Sequence, residues 1–242
     1  MDHRSPRGFD GSTEENPRHE PWFSTRRPRL KDTQQETNPL ALLGGVFDPL
    51  HQGHVAIAHA ALELPGVEEV MWVPCKEPPH QKDSAHAPAE ARLAMTRLIC
   101  EEVEQFVVEE IEFDREGPSW TIDTIRTLTD LHPGRLLLWL IGSDNVPLIG
   151  RWKEAEELWN LAIPVVAHRP GSGTVLRREH LPFLDGDRWR LVNSWSLPEV
   201  AQDISSTRLR SLLAAGEEVG EWIPPAVLEA LDSGGWYRHP AP

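Results

Sequence analysis

Cysteine is nearly absent, with only Cys75 and Cys100 in 242 residues. Two thiols at that spacing suit neither a metal site nor a disulfide framework. They favour a reduced, cytoplasmic protein, with a single disulfide as the alternative. Long apolar runs are absent too. A membrane helix needs about 20 consecutive apolar residues, and the stretch from Leu136 to Ile141 is far shorter and reads as a buried strand. No apolar signal core opens the chain. Positive charge is the third shortage, since 24 Lys and Arg face 38 Asp and Glu for a net charge of -14. Such a surplus favours solubility and argues against nucleic acid or an anionic membrane as partner.

What is present is a hydrophobic fraction of 39%, enough over this length to bury a core without staples. Residues 1 to 39 carry seven basic and seven acidic side chains, so the negative surplus falls entirely in residues 40 to 242. A polyphosphate ligand would therefore need positive potential gathered locally. Histidine, arginine, a helix N-terminus or a divalent metal are the available means.

Residues 1–39 are rich in Pro, Arg, Glu, Ser and Thr. Such a segment buries too little apolar area to offset its ordering entropy and is expected to be a disordered tail, or else a short docking arm through Trp22-Phe23. From Leu40 the pattern alternates. Strands are predicted at Leu40–Phe47, Val67–Val73, Phe106–Ile111, Arg135–Ile141 and Ile163–Ala167, with a last short one at Trp189–Val192. Helices are predicted at Gly53–Leu64, Ala89–Val103, Thr121–Leu131 and Lys153–Leu161. Two more close the chain, one running from Ser205 to Gly216 and one from Pro224-Pro225 to Gly234-Gly235. Strand–helix alternation implies an α/β, Rossmann-like, doubly wound parallel sheet with helices on both faces and a small C-terminal helical part. The expected division is a tail at 1–39, the sheet domain at 40–200 and a helical segment at 201–242.

Two short stretches carry chemistry. In Gly44-Gly45-Val46-Phe47-Asp48-Pro49-Leu50-His51-Gln52-Gly53-His54, two glycines at a strand end allow close backbone approach to a ligand. His51 and His54 then fall at the first turn of a helix, where backbone N–H groups and the dipole favour an anion. A zinc site would need a third ligand that the spacing does not supply. In Asp203-Ile204-Ser205-Ser206-Thr207-Arg208-Leu209-Arg210, Asp203, Ser205 and Ser206 compete for an N-cap, and Arg210 lies one turn in with a planar fork for an anion. An ordinary capped amphipathic helix is the plain alternative.

The eleven-residue string from Gly44 to His54 resembles the HxGH signature of the nucleotidyltransferase superfamily, specifically its nicotinate-nucleotide adenylyltransferase branch. The stretch Ile204-Ser205-Ser206-Thr207 with Arg210 resembles that family's Ile-Ser-Ser-Thr-x-x-Arg motif, and the likeness runs in order from about residue 40 to 238. It implies transfer of AMP from ATP to nicotinate mononucleotide, with Mg²⁺ arriving on ATP and no metal site of the protein's own. By the same resemblance His51, His54 and Arg210 are the catalytic residues. ATP is expected at Gly44, Gly45, Phe47, Gly53, Gly142, Asp144, Ile204, Ser205 and Ser206. The mononucleotide is expected at Lys82, Thr121, Trp152 and Arg169, with Thr121 receiving the pyridine carboxylate and Trp152 stacking on the ring.

The chain departs from the family pattern at three places. Lys82 is displaced by one residue from the family's Pro-Pro-His-Lys, Trp120 stands where a Tyr is usual, and His168 replaces an Arg. A pantetheine-phosphate adenylyltransferase resembles Thr-x-Gly-His instead. A nucleotide sensor without turnover would share the same residues. A homo-oligomer is left open.

Overall fold

The computed structural model describes residues 38–79, 86–168, 174–198, 200 and 204–237. The predicted tail, apart from its last two residues, lies outside them, as do Lys82 and Arg169.

Five strands form one sheet: β1 (Leu40–Gly45), β2 (Val70–Pro74), β3 (Phe106–Val108), β4 (Leu137–Gly142) and β5 (Ala162–Ala167). Their order is β3-β2-β1-β4-β5 and every pairing is parallel. The apolar runs LALL and VMWV explain this, because strands of a parallel sheet are covered on both faces and need no polar alternation. Leu40, Ala41, Leu42, Val70 and Trp72 are all fully buried. The helices are α1 (Gln52–Leu62), α2 (Ala89–Glu102), α3 (Thr121–Leu131), α4 (Ala155–Leu161), α5 (Gly186–Asn193), α6 (Ser206–Ala214) and α7 (Pro225–Gly234). The chain runs outward through β2 and β3, then back past β1 to β4 and β5. The order reverses between β1 and β4, and the carboxyl ends of those two strands bound the crevice where such sheets bind ligands.

One predicted strand and several predicted ends need correction, with β1 stopping at Gly45 rather than Phe47 and β2 starting at Val70 rather than Val67. Trp189–Val192 is not a strand but part of α5. Asp185 caps that helix, its Oδ1 accepting from the Arg188 N–H at 2.7 Å. The buried Arg188 guanidinium then donates to the carbonyls of Trp159 and Ala162, both at 2.8 Å. A four-residue apolar window cannot separate a period of 2 from one of 3.6, and the cap decides it. β3 also stops early, at Val108 rather than Ile111, because the chain turns at Glu110–Phe113.

The paired glycines have a packing reason of their own. A Cβ at Gly44 would overlap the Trp139 ring, and one at Gly45 would lie 2.7 Å from the Phe47 ring. Trp139 is 5% exposed and has little room to retreat. Gly44→Ala should therefore destabilise the fold by about 1–3 kcal/mol through overpacking. Thermal unfolding of the variant checks this, and an unchanged Tm would contradict it.

Candidate active site

β1 delivers the chain into a tight turn. Phe47 adopts φ +52°, a left-handed conformation that costs a bulky side chain about 1–2 kcal/mol. Its ring is 2% exposed and packs on Trp72, at 5.5 Å, and edge-on to His54, at 5.0 Å. The turn places His51 at the N-cap of α1, where its Nδ1 accepts from the Gly53 N–H at 3.1 Å. His54 answers from the third position, its Nδ1 accepting from the His51 N–H at 3.2 Å. This is a capping box built from two histidines instead of Ser and Glu. The rings stack with centroids 3.7 Å apart. With Nδ1 used as acceptor in both, each neutral imidazole carries its hydrogen at Nε2.

α6 docks on the same turn. Ser205 is its N-cap, accepting from the Arg208 N–H at 3.3 Å. The Ser206 hydroxyl donates to the Pro49 carbonyl at 3.1 Å, and Arg210 donates to the Asp48 carbonyl at 2.7 Å. Two stretches more than 150 residues apart are thus joined, as the sequence pattern requires.

A cavity of about 550 Å³ opens beside them. Of the sequence-predicted residues, Gly44, Gly45, His51, His54, Thr121, Gly142, Asp144, Trp152, Ser205 and Ser206 line it. Phe47, Gly53 and Ile204 are buried behind the wall, supporting it by packing. Arg210 also stands back from the cavity lining, held on Asp48. One end is aromatic. Trp120 and Trp152 both line it, with Trp152 resting on Trp159 at 5.5 Å, so packing and a stacking face coexist in one side chain. Trp120 is the N-cap of α3 and offers no side-chain cap, which leaves the Thr121 end of that helix to meet an anion. Lys153 adds positive charge there, its ammonium 5.4 Å over the Trp120 ring and 3.2 Å from Asp123.

Sequence reading missed several residues that organise the site. Asp48 is 3% exposed, and its carboxylate accepts from the N–H groups of His86 and Ala87, at 2.9 and 3.0 Å, and from the Tyr237 hydroxyl at 2.5 Å. Arg210 lies 3.8 Å from the same carboxylate. Burial, with the bond to Asp48 second, holds the Tyr237 phenol well above its usual range. Asp48 stands inside the recognised string, where Asp-Pro marks only a turn; a charged residue between an aromatic and a proline was the available signal. Glu112, 4% exposed, accepts from the Thr124 hydroxyl at 2.7 Å beneath the aromatic end. Cys75 lines the cavity, and burial pushes its thiol up to about 12, away from the thiolate form that nucleophilic attack uses. Among the described residues, no group of three or more His, Cys, Asp or Glu is placed to hold a metal ion.

A parallel sheet with ligand-sized space at its switch point and two histidines at a helix mouth defines the nucleotidyltransferase class. Residues 42–212 accordingly match the cytidylyltransferase-like family. Two curated relatives named "Probable nicotinate-nucleotide adenylyltransferase" are close along nearly their whole length. The one from Aeromonas hydrophila subsp. hydrophila is 36% identical, covering 83% of this chain and 97% of its own. The one from Thermus thermophilus is 38% identical, covering 82% and 99%. This chain belongs to the nicotinate-nucleotide adenylyltransferase family. In fold it is similar to the Plasmodium falciparum nicotinic acid mononucleotide adenylyltransferase complexed with NaAD, with a TM-score of 0.67 at 19% identity over 83% of this chain and 97% of that one.

Proposed function

We propose that the chain transfers AMP from ATP to nicotinate mononucleotide, giving nicotinate adenine dinucleotide and pyrophosphate. The observation that carries the reading is the meeting of two helix mouths on one cavity, with the stacked His51 and His54 at one and Ser205–Thr207 at the other. The attacking 5′-phosphate is already anionic near neutral pH, so the reaction needs no general base. It needs in-line positioning and donors for charge that builds on phosphate oxygens. His51 and His54, each with its hydrogen at Nε2, supply parallel donors for the α-phosphate. Ser205, Ser206 and the N-terminal end of α6 hold the β and γ groups, with Arg210 swinging from Asp48 to join them. The mononucleotide's ring lies at Trp152 and Trp120, its carboxylate at Thr121 and the α3 N-terminus. Lys82 and Arg169, outside the described residues, are assigned to the mononucleotide by family resemblance. Residues 40–200 then form the sheet domain, and residues 201–242 complete the ATP site, a division supported by the docking of α6 on the 48–49 turn.

Mg²⁺ comes as part of the ATP substrate, carried on its phosphate oxygens. EDTA should therefore abolish turnover while leaving the Tm of the free protein unchanged. The decisive assay is pyrophosphate release from Mg-ATP with nicotinate mononucleotide and, in parallel, with its amide. Rapid release with the acid is expected; none with either mononucleotide would end the reading. Such chemistry uses cytoplasmic metabolites, and no helix among the described residues is long and apolar enough to cross a membrane.

A further inference from the structure

The three residues after β1 decide where His51 stands, and a side chain outside the recognised motifs holds the first of them. Arg92, on the first turn of α2, is 1% exposed. Its guanidinium donates to the carbonyls of Val46 at 2.8 Å, Lys76 at 2.9 Å and Ala87 at 3.3 Å, and also to that of Cys75. Val46 follows β1, Cys75 and Lys76 follow β2, and Ala87 precedes α2. One planar fork therefore fixes the exits of two neighbouring strands at the edge where the cavity opens.

We propose that Arg92 is a positioning residue of the transfer reaction, holding the β1 and β2 exits so that His51 and His54 meet the triphosphate in line. The Val46 carbonyl belongs to the peptide that enters Phe47, the residue forced to φ +52°. A conformation that unfavourable persists only when its neighbours over-determine it. Here the carbonyl before Phe47 is held by Arg92, the carbonyl of Asp48 by Arg210 and that of Pro49 by Ser206. The hinge of the histidine turn is clamped from α2 on one side and α6 on the other.

Arg92 also acts electrostatically. All the hydrogen-bond partners of Arg92 are main-chain carbonyls, so its charge is solvated chiefly by dipoles, and the buried Asp48 carboxylate acts on it only through space. Burial accordingly draws its basicity down from the ordinary arginine range. In a chain of net charge -14, a fixed cation behind the phosphate site favours an anionic ligand from below, where salt screens it least. The fork is indispensable in this arrangement. A lysine ammonium is a point charge on a flexible stem and cannot bridge carbonyls on three separate segments at once.

The inference rests on the proposed reaction, and its test keeps the two apart. Arg92→Lys, Arg92→Met and His54→Ala are assayed together, with folded fraction taken from circular dichroism. Displacing reacting groups by about 1 Å costs up to about 10²-fold in rate. Arg92→Lys should therefore lose about 10- to 100-fold in kcat per folded molecule. Its KM for nicotinate mononucleotide should stay within about twofold, because the aromatic end is built on α3 and the Trp152 segment, which Arg92 does not touch. Arg92→Met should fall at least as far. A kcat for Arg92→Lys within about threefold of the parent overturns the proposal, as does a mononucleotide KM that rises with the loss of kcat. If neither Arg92 variant folds, Arg92 serves stability alone and the proposal is overturned. A collapse in His54→Ala beside a healthy Arg92→Lys sinks only this inference, whereas an active His54→Ala sinks the reaction mechanism beneath it.

Discussion

His54→Ala should lower kcat by about 10²–10³-fold, the usual cost of removing one preorganised donor from a developing oxyanion, while leaving the fold intact. The structural side of the change is small, since His54 contributes one reciprocal cap to α1 and losing a cap costs about 1 kcal/mol. The capping geometry also supplies a sharper pair of variants at His51. In His51→Asn the amide oxygen replaces Nδ1 as acceptor for the Gly53 N–H, so the cap survives and the Nε2 donor is lost. In His51→Gln a donor is retained near the Nε2 position and the cap is weakened. Asn should keep Tm and lose turnover; Gln should lose Tm and retain more turnover. Parallel thermal melts and pyrophosphate-release rates read both. The reverse ranking would show that the caps, and not the Nε2 donors, are what the histidines provide.

Much of the fold is legible in the sequence. The apolar runs at 40–43 and 137–141 mark buried strands, and their alternation with helical segments implies the parallel sheet. The His51–His54 spacing fixed both rings on one helical turn. What stayed hidden was the meaning of residues whose partners are far away in the chain. Gly44 and Gly45 read as room for a ligand, yet each also makes room for an aromatic ring, Trp139 or Phe47. Arg210 read as a phosphate ligand, but in this structure it grips the Asp48 carbonyl. Arg92 sits in an ordinary helical pattern, and nothing local marks it as buried. Its role depends on where β1 and β2 end in space, which periodicity does not encode. Trp189–Val192 failed for the opposite reason, because the window was too short for its period to be read.

Asp48→Asn should cause a second large loss, in stability and turnover together. The carboxylate accepts three donors and faces two more groups, as Oδ1 takes Ala87 N–H and Tyr237 O–H while Oδ2 takes His86 N–H and faces Arg210 and the His86 ring. An amide keeps one of those oxygens and sets an NH₂ against the donors on the other side. Leaving buried donors unpaired costs about 1–3 kcal/mol each, and replacing the charge removes the electrostatic hold on Arg210. Tyr237→Phe deletes only one of the contacts and should cost about 1.5–3 kcal/mol, a hydrogen bond to a charged group, with kcat nearly kept. The contrast between the two variants is informative because both loosen the C-terminal segment, but only Asp48→Asn also releases the 86–87 backbone and the arginine of α6. If Tyr237→Phe impairs turnover as severely as Asp48→Asn, the C-terminal contact is what shapes the site. If only Asp48→Asn does, the buried carboxylate works as the common anchor by which the histidine turn, the start of α2 and Arg210 are held to one geometry.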